Sequence, residues 1–454
     1  RRASLIGDSI GWIDVGKEDH PLVFSEWRYA PVTNFQGIAT ASLTHSWLLS
    51  DEADIVGAYH RVNEERITRY FGSPWRTYRK ESVDKFTFNI DATKAVKEQY
   101  LQYGLEATYN DLSSRAYREH LYNGNREATF TRYPSGGGSM ETYSAYLKFN
   151  IDFSDQLRLT QGFRYSKINM SASFGNNKAY FDYTFDEISL NTSAFSGAFN
   201  FTYTPVDAWK LSLLGSSGYR VPNLDDAARF SSPDHGTVMV PNPQLKPEYA
   251  YNIEASIEGQ PIEEINAGLT GYATFLNNAI VRQPYQLNNR DTIEYEGVDS
   301  RVLAKVNIGT AFIGGGSLFL DIDLNKHLTF HNRINYAYGR NNEADEPLPH
   351  IPPLYGKSAL RYGRDKVKVA TSFRYNGWKR ASAFSPYGAD NLDEATEDGT
   401  PAWWTLNVKA SYRFNEHLSF QAALENIFDH HYRPFGSEVS APGRNLVLTL
   451  RGSF

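Results

Sequence analysis

The sequence predicts an antiparallel, up-and-down transmembrane β-barrel, and three observations lead to that fold class. Apolar and polar side chains alternate with a period of two through many segments of the chain. Aromatic residues make up 14% of the chain although its mean hydropathy is negative. Short turns alternate with long polar loops. A barrel whose strands face lipid on one side and a wet lumen on the other accounts for all three.

Residues 157–168 show the alternation in one strand. Leu157 and Phe163 fall on one face, while Arg158 and Arg164 fall on the other, because successive side chains of a strand point to opposite faces. Unpaired arginines would be out of place in a soluble core, whereas a water-filled lumen accepts them.

The same pattern recurs along the chain and predicts roughly sixteen to eighteen strands of the length expected for tilted membrane strands. The predicted ranges are 38–47, 53–67, 83–94, 100–116, 141–153, 157–168, 194–204, 209–219, 248–258, 266–276, 292–306, 327–338, 355–363, 366–377, 406–414, 418–424 and 444–454.

The connections between these strands alternate in length, as in an up-and-down meander with its long loops outside. No linker divides the chain, so residues 1–454 are predicted to form a single barrel domain. Short turns are predicted at 154–156, 205–207, 364–365 and 415–416, and long loops near 118–140, 170–192, 220–247, 277–292, 339–353 and 379–402.

Composition excludes several function classes. The chain has no cysteine, so disulfide scaffolds, cysteine-ligated zinc and thiol nucleophiles are excluded. A net charge of −6 gives no basic surface for nucleic acid. No segment approaches the ~20 consecutive apolar residues of a spanning helix. The first residues lack the apolar core of a signal peptide.

The stretch from Ser216 to Asn252 organises the prediction. Two proline-containing boxes bracket a polar loop: Tyr-Arg-Val-Pro-Asn at 219–223 and Pro-Asn-Pro-Gln-Leu-Lys-Pro-Glu at 241–248. Proline fixes φ and removes a backbone donor, so these boxes lie outside paired strands. We expect an exposed platform between two long strands.

Two further motifs lie near the C-terminus. Residues 424–432 read Leu-Glu-Asn-Ile-Phe-Asp-His-His-Tyr, and residues 441–445 read Ala-Pro-Gly-Arg-Asn. The last strand alternates and ends on Phe454. This ending resembles the assembly signal of outer-membrane barrels, and a plain C-terminal strand is the alternative.

Taken in order, these motifs resemble those of TonB-dependent outer-membrane receptors. The boxes at 219–223 and 241–248, the segments at 424–432 and 441–445, and the loop stem at 346–353 are each similar to a family motif. The resemblance covers about 240 residues. The loop style further resembles that of receptors from Bacteroidetes-like bacteria.

The resemblance implies a transport function without a catalytic residue. It implies a barrel of 22 strands in the outer membrane of a Gram-negative bacterium. An N-terminal plug would carry a TonB box, which contacts TonB and its inner-membrane energising complex. Neither the plug nor enough strands is found here, so a missing N-terminal segment is favoured over a smaller barrel. A surface lipoprotein is left open as a partner.

The ligand is not fixed by these motifs. A ferric siderophore is preferred, followed by haem, cobalamin, and an oligosaccharide or peptide. The alternative function is a plugless passive pore, or a scaffold barrel within a larger outer-membrane complex. An enzyme is not favoured, because the eleven histidines fall in no motif with a spaced nucleophile.

His235, Arg220 and Asp234 are the candidate ligand-binding residues. The haem-uptake subgroup of the resembled family places an axial haem ligand between the two boxes, and His235 lies in that interval. A neutral imidazole suits haem iron. An exposed loop histidine beside Asp234 is the alternative.

An acidic loop near residue 390 is the candidate calcium site. Asp390, Asp393 and Glu397 offer oxygen ligands there, although their spacing does not match an EF-hand. A solvated acidic loop tip is the alternative.

Several arginines predicted to face the lumen, and several tryptophans, are further candidate functional residues. The arginines would bind an anionic ligand or the plug, or would pair with lumen carboxylates. The tryptophans would stack on a ligand or anchor the barrel at the membrane interface. The arginines are Arg158, Arg164, Arg374 and Arg413, and the tryptophans are Trp47, Trp75, Trp209, Trp378, Trp403 and Trp404.

Overall fold

The structure is a computed structural model that describes residues 24–44, 46, 48–97, 99–181, 184–232, 236–387, 390, 395–437 and 439–453. These residues form one 22-stranded sheet and a separate two-stranded sheet. The strands are β1 (Phe24–Tyr29), β2 (Thr33–Leu43), β3 (Glu52–Tyr70), β4 (Trp75–Val96), β5 (Gln99–His120), β6 (Arg126–Ala128), β7 (Gly138–Asp152), β8 (Leu157–Ser173), β9 (Glu187–Val206), β10 (Trp209–Arg220), β11 (Thr237–Met239), β12 (Glu248–Ile262), β13 (Ile265–Pro284), β14 (Thr292–Tyr295), β15 (Val298–Asn325), β16 (Leu328–Asn341), β17 (Glu346–Pro347), β18 (Tyr355–Arg364), β19 (Val367–Asn376), β20 (Lys379–Arg380), β21 (Gly399–Thr400), β22 (Trp403–Arg413), β23 (Leu418–Glu425) and β24 (Asn445–Gly452). The helices are α1 (Leu224–Ala227) and two 3-10 turns, Gly175–Ala179 and Ala381–Ala383.

The long strands form an antiparallel meander in which chain neighbours pair. The short β11 is different, because it pairs with β15 in parallel. At one edge, β1 and β2 both pair with β3. At the other edge lies β24, paired with β23. Within the described residues, no backbone pairing joins these two edges.

The predicted strand number is confirmed within the described part of the chain. Of the 22 strands in the main sheet, four are short: β6, β11, β14 and β17. Because β1 and β2 both pair with β3, we count them as one strand, and seventeen long strands remain. The predicted alternation of short and long connections is also confirmed. We call the side with the long connections the long-loop end.

Large apolar side chains cover the outside of the sheet. Phe88, Leu213 and Leu448 are 49%, 51% and 60% exposed, and most long strands carry similar residues. A soluble protein rarely exposes so much continuous apolar surface, so this face is suited to lipid. No helix in the described residues is long and apolar enough to span a membrane.

Several strands extend beyond their predicted ends. β4 begins at Trp75 rather than residue 83, and β8 continues to Ser173. The alternation fades there because both faces of the strand carry polar residues, as in residues 79–82. The backbone pairing nevertheless continues, since Thr77 pairs with both Thr68 and Arg118.

The predicted strand at 292–306 is wrong in detail. The chain instead makes a hairpin at Glu296 and Gly297, both with positive φ, between β14 and β15. The rest of β15 was missed because Gly314, Gly315 and Gly316 weaken a strand signal. Here glycine allows close approach, since a Cβ at Gly315 would lie 2.4 Å from the Tyr336 carbonyl oxygen.

The main apolar core lies at the long-loop end rather than midway along the strands. Loops contribute Phe130, Phe174 and Phe230, which are 8%, 1% and 1% exposed. They pack on the outer ends of the strands, including Ile188 and Val302. The long loops therefore fold together over the mouth of the sheet, and we call this cluster the mouth core.

An arginine should be tolerated on the inner face of the sheet but not on its apolar outer face. Leu213 and Ser212 are neighbours on β10, and only Leu213 is on the apolar outer surface. In phospholipid vesicles, Leu213→Arg should lower the free energy of unfolding by about 2–4 kcal/mol, and Ser212→Arg by less than about 1 kcal/mol. Urea titration measures both. Equal losses would contradict the assigned orientation of the strand.

Candidate functional site

The first proline box forms a capped helical turn. Asn223 is the N-cap of α1: its side chain accepts the Asp226 N–H at 2.9 Å, and the Asp226 carboxylate accepts the Asn223 N–H at 3.2 Å. This reciprocal pair satisfies two backbone donors. Arg220 donates to both oxygens of the buried Asp226, each at 2.6 Å.

The second proline box closes onto the first. The N–H of the buried Asn242 donates to the Ala227 carbonyl at 2.9 Å, and its side chain donates to the Lys305 carbonyl at 2.8 Å. Glu248 accepts the Ile280 N–H at 2.6 Å. The two boxes therefore brace the root of the loop against β13 and β15.

The expected exposed platform is wrong for the residues described between the two boxes. Ala228, Phe230, Val238 and Val240 are each at most 1% exposed and belong to the mouth core. Their apolar side chains gain more from burial against neighbouring loops than from solvent exposure.

The two C-terminal motifs form a clasp. Asn426 is buried with φ +47, a conformation that asparagine tolerates. Its side chain accepts the His430 N–H at 2.9 Å and donates to the His430 carbonyl at 2.7 Å. Asp429 accepts the Arg444 N–H at 2.6 Å. A Cβ at Gly443 would lie 2.6 Å from that Asp429 oxygen, so a side chain at this position would displace the carboxylate.

Polar contacts fasten the loops around the mouth core. Burial, and the neighbouring Asp225 carboxylate, raise the pKa of Tyr133, so its phenol stays protonated and donates to Asp225 at 2.6 Å. Arg229 donates to the same carboxylate at 2.9 Å. The buried Asn177 side chain accepts the Thr131 N–H at 3.1 Å, which joins the loop of Tyr133 to the loop after β8.

The loop after β19 is fastened in the same way. Lys379 is 5% exposed, and its ammonium donates to the Ile351 carbonyl at 2.6 Å. Burial lowers the pKa of this lysine. Asp390 is 2% exposed and accepts the N–H groups of His350 and Ser385 at 2.7 and 3.0 Å.

Three cations lie in one row across the inner face of neighbouring strands. Arg333 on β16 pairs with Lys357 on β18, which pairs with Arg374 on β19. Phe373, the neighbour of Arg374, is on the outer surface, so this row points inward. Like charges directly opposite one another destabilise a sheet, and an anion between them would offset that repulsion.

One of the three cations is already neutralised. Arg333 donates to both oxygens of Asp321 at 2.9 and 2.8 Å and lies over the Phe319 ring. Lys357 and Arg374 form no ion pair with any described residue. Two positive charges therefore remain available on this inner wall.

Aromatic side chains complete a cavity of about 400 Å³ beside these cations. Its lining includes Tyr355 from β18, Trp403 from β22 and Phe435 from the clasp loop. The Trp403 indole N–H is buried and has no acceptor among the described residues. A cavity with aromatic walls, two cations and a spare donor is suited to a flat, anionic, oxygen-rich ligand.

The lumen arginines divide into two groups. Arg158 pairs with Asp152 at 2.5 Å and Arg164 with Glu106 at 2.9 Å, as the carboxylate-pairing interpretation expects. Arg374 and Arg413 form no ion pair within the described residues. Of these four arginines, Arg374 lines the cavity.

Several predicted site residues fall outside the part of the chain that the structure describes. His235, Asp234 and Asp393 lie outside the described residues, as do Trp47 and Phe454.

The described candidates have the following surroundings. Arg220 pairs with Asp226, both oxygens of Asp390 accept backbone donors, and Glu397 is exposed. In the ranges that the structure describes, no group of three His, Asp or Glu side chains could hold a metal ion. The haem and calcium hypotheses stay predictions.

The consecutive tryptophans separate as the strand pattern requires. Trp404 is 41% exposed on the outer surface, 5.5 Å from Phe428, whereas Trp403 lines the cavity 4.4 Å from Tyr432. Lys357 and Tyr355 were not predicted as site residues. Their signal was present in the strand pattern, since residues 355, 357 and 359 share one face.

Comparison with known proteins identifies the family. Residues 14–427 match the model described as TonB dependent receptor-like, beta-barrel. The chain belongs to this family. The resemblance drawn from the motifs and the predicted fold class are thereby confirmed, and the family consists of receptors and transporters rather than enzymes.

Solved receptor structures share the fold at low sequence identity. Copper transporter OprC is similar with a TM-score of 0.80 and 16% identity, covering 94% of this chain and 66% of that one. The siderophore receptor PirA from Acinetobacter baumannii gives a TM-score of 0.68 and 17% identity, covering 93% and 62%.

The proteins related by sequence have different names and functions. The vitamin B12 transporter BtuB of Photobacterium profundum is 24% identical, covering 53% of this chain and 34% of its own length. The iron-regulated outer membrane virulence protein of Vibrio cholerae is 20% identical, covering 77% and 48%. This TonB-dependent receptor chain therefore spans at most about half the length of these relatives.

Adding a methyl group at Gly443 should open the clasp. Gly443→Ala forces the Asp429 carboxylate away from the Arg444 N–H, and losing that charge-assisted bond should lower stability by about 1–3 kcal/mol. Hydrogen exchange at the Arg444 amide should accelerate. Gly57→Ala is the matched control, because its Cβ meets nothing within 4 Å. Unchanged exchange in Gly443→Ala would contradict the clasp.

Proposed function

We propose that this chain forms the later part of the barrel of an outer-membrane TonB-dependent receptor that imports an anionic ferric chelate of the siderophore class. The observation that carries the proposal is the cavity beside Lys357 and Arg374, set in the inner wall of a receptor-family sheet. Residues 1–454 are proposed to belong to one barrel domain.

The charge of the wall favours one ligand class over the others. Tris-catecholate complexes of ferric iron carry net negative charge and present aromatic faces, which match two cations and the rings of Tyr355, Trp403 and Phe435. A ferric enterobactin receptor of Pseudomonas aeruginosa is 24% identical, covering 69% of this chain and 41% of its own length. An uncharged oligosaccharide would leave both charges uncompensated.

The fold supports a proposal for the location and partners. The apolar outer face would lie in the outer membrane of a Gram-negative cell, with the long-loop end outside. A bilayer tolerates no unpaired strand edge, so the proposal requires further strands between the edges formed by β2 and β24. A plug, with TonB and its inner-membrane complex acting on it, would supply the energised step.

Binding to the cavity should depend on its two unpaired cations. The purified receptor should bind a ferric tris-catecholate complex, and Lys357→Ala or Arg374→Ala should each weaken binding by roughly tenfold or more. Binding by wild type should weaken with added salt. Quenching of tryptophan fluorescence measures the affinity.

Lys368→Ala is the matched control, since Lys368 is an inward-facing lysine on β19 outside the cavity lining. It should bind the complex as wild type does. No binding by wild type, or equal affinity in all four proteins, would contradict the proposed ligand class.

A further inference from the structure

The hairpin formed by residues 292–301 leaves the wall and crosses the mouth of the sheet. It consists of β14 and the first residues of β15, joined by Glu296 and Gly297. Both turn residues have positive φ, at +54 and +83, as in the tight two-residue turn that suits β-hairpins. The last rung between β13 and β15 joins Pro284 to Leu303, so the hairpin tip extends beyond the wall ladder.

The tip contacts strands far away along the sheet. The Glu296 carboxylate accepts Arg79 of β4 at 2.5 Å and the Tyr70 hydroxyl of β3. Seven long strands lie between β4 and β15: β5, β7, β8, β9, β10, β12 and β13. Because these strands intervene, Glu296 reaches Arg79 only across the interior.

Aromatic packing positions the tip. Tyr295 is 7% exposed, and its ring lies 5.3 Å from Phe130 and 5.6 Å from Phe230 in the mouth core. The Arg79 guanidinium lies 4.7 Å from the Phe130 ring. The hairpin and the wall thus share one aromatic cluster at the point where they meet.

The wall beneath the hairpin tip contains a buried carboxyl group that the contacts of Glu296 do not satisfy. Glu81 is 7% exposed, and neither of its carboxylate oxygens has a hydrogen-bond partner among the described residues. Arg66, Arg79 and Arg132 lie nearby. A buried ion pair contributes little net stability relative to its separated, hydrated ions, although it fixes one arrangement. The ion pair between Glu296 and Arg79 can therefore hold the hairpin tip in place and also release it.

We propose that the hairpin at 292–301 is a gate whose latch is Glu296 on Arg79 and Tyr70. When the latch is closed, the hairpin divides the mouth above the inner wall. When it opens, Tyr295 withdraws from Phe130 and Phe230, which stay in the mouth core, and the passage into the lumen widens. This inference rests on the proposed function only in that a ligand must pass the mouth, and the latch is testable without any ligand.

Residues 1–454 contain no cysteine, so an introduced cysteine is the single thiol of this part of the receptor. Ser114 on β5 pairs with Glu81 in the sheet and is 4% exposed. In Ser114→Cys receptor embedded in lipid vesicles, alkylation by a bulky, membrane-impermeant maleimide should be slow. Adding Glu296→Gln should accelerate it by roughly tenfold, since the latch loses a charged hydrogen-bond acceptor.

Two further variants make the result decisive. Glu294→Gln makes the same charge change two residues away at an exposed position, so it should leave the alkylation rate unchanged. Tyr70→Phe removes one latch bond without changing charge, and it should accelerate alkylation by a smaller factor even if Glu296→Gln fails to fold.

Equal rates in the parent, Glu296→Gln and Tyr70→Phe would overturn the gate. The same follows if Glu294→Gln accelerates alkylation as much as Glu296→Gln. Failure to bind a ferric tris-catecholate complex would count against the proposed ligand and leave the latch result intact, so the two failures are distinguishable.

Discussion

The ladder of hydrogen bonds between strands is the constraint on which the rest of the structure depends. It fixes the register, and a period of two then assigns each side chain to the lipid face or the inner face. The consequence is clearest where Phe373 faces outward and Arg374 inward. A slip of one residue would move the cation into the bilayer and the phenyl ring into the lumen. Register therefore places the cations of the cavity, and the clasp loop adds Phe435 to its lining.

Two kinds of interaction close the long-loop end, and they differ in how readily they can be undone. The mouth core buries large apolar side chains such as Phe174 and Phe230, and exposing them would forfeit several kcal/mol. The capped turn and the clasp hold the loop roots through hydrogen bonds from backbone N–H groups to side-chain oxygens. The contact of Glu296 with Arg79 is instead ionic and lies at a hairpin tip. A mouth built this way keeps its loops folded while one segment moves.

The sequence predicted the fold well because alternation and turn spacing are local signals. It failed where the signal was not local. Val238 and Val240 gave no alternation, and their burial depends on other loops folding over them. The three glycines of β15 concealed a strand whose pairing comes from β13 and β16. The cavity was missed because Arg333, Lys357 and Arg374 are far apart in sequence and meet only through register. The roles of His235 and Asp234 stay predictions.

Energised import is the central claim, and radio-iron uptake by cells tests it most directly. The full-length receptor would be expressed in a Gram-negative host without catecholate receptors of its own, with and without TonB, and supplied with a ferric tris-catecholate complex. The account predicts saturable uptake that requires both the receptor and TonB. Uptake that rises linearly with concentration and is unchanged without TonB would contradict it, and would leave the chain as part of a passive pore.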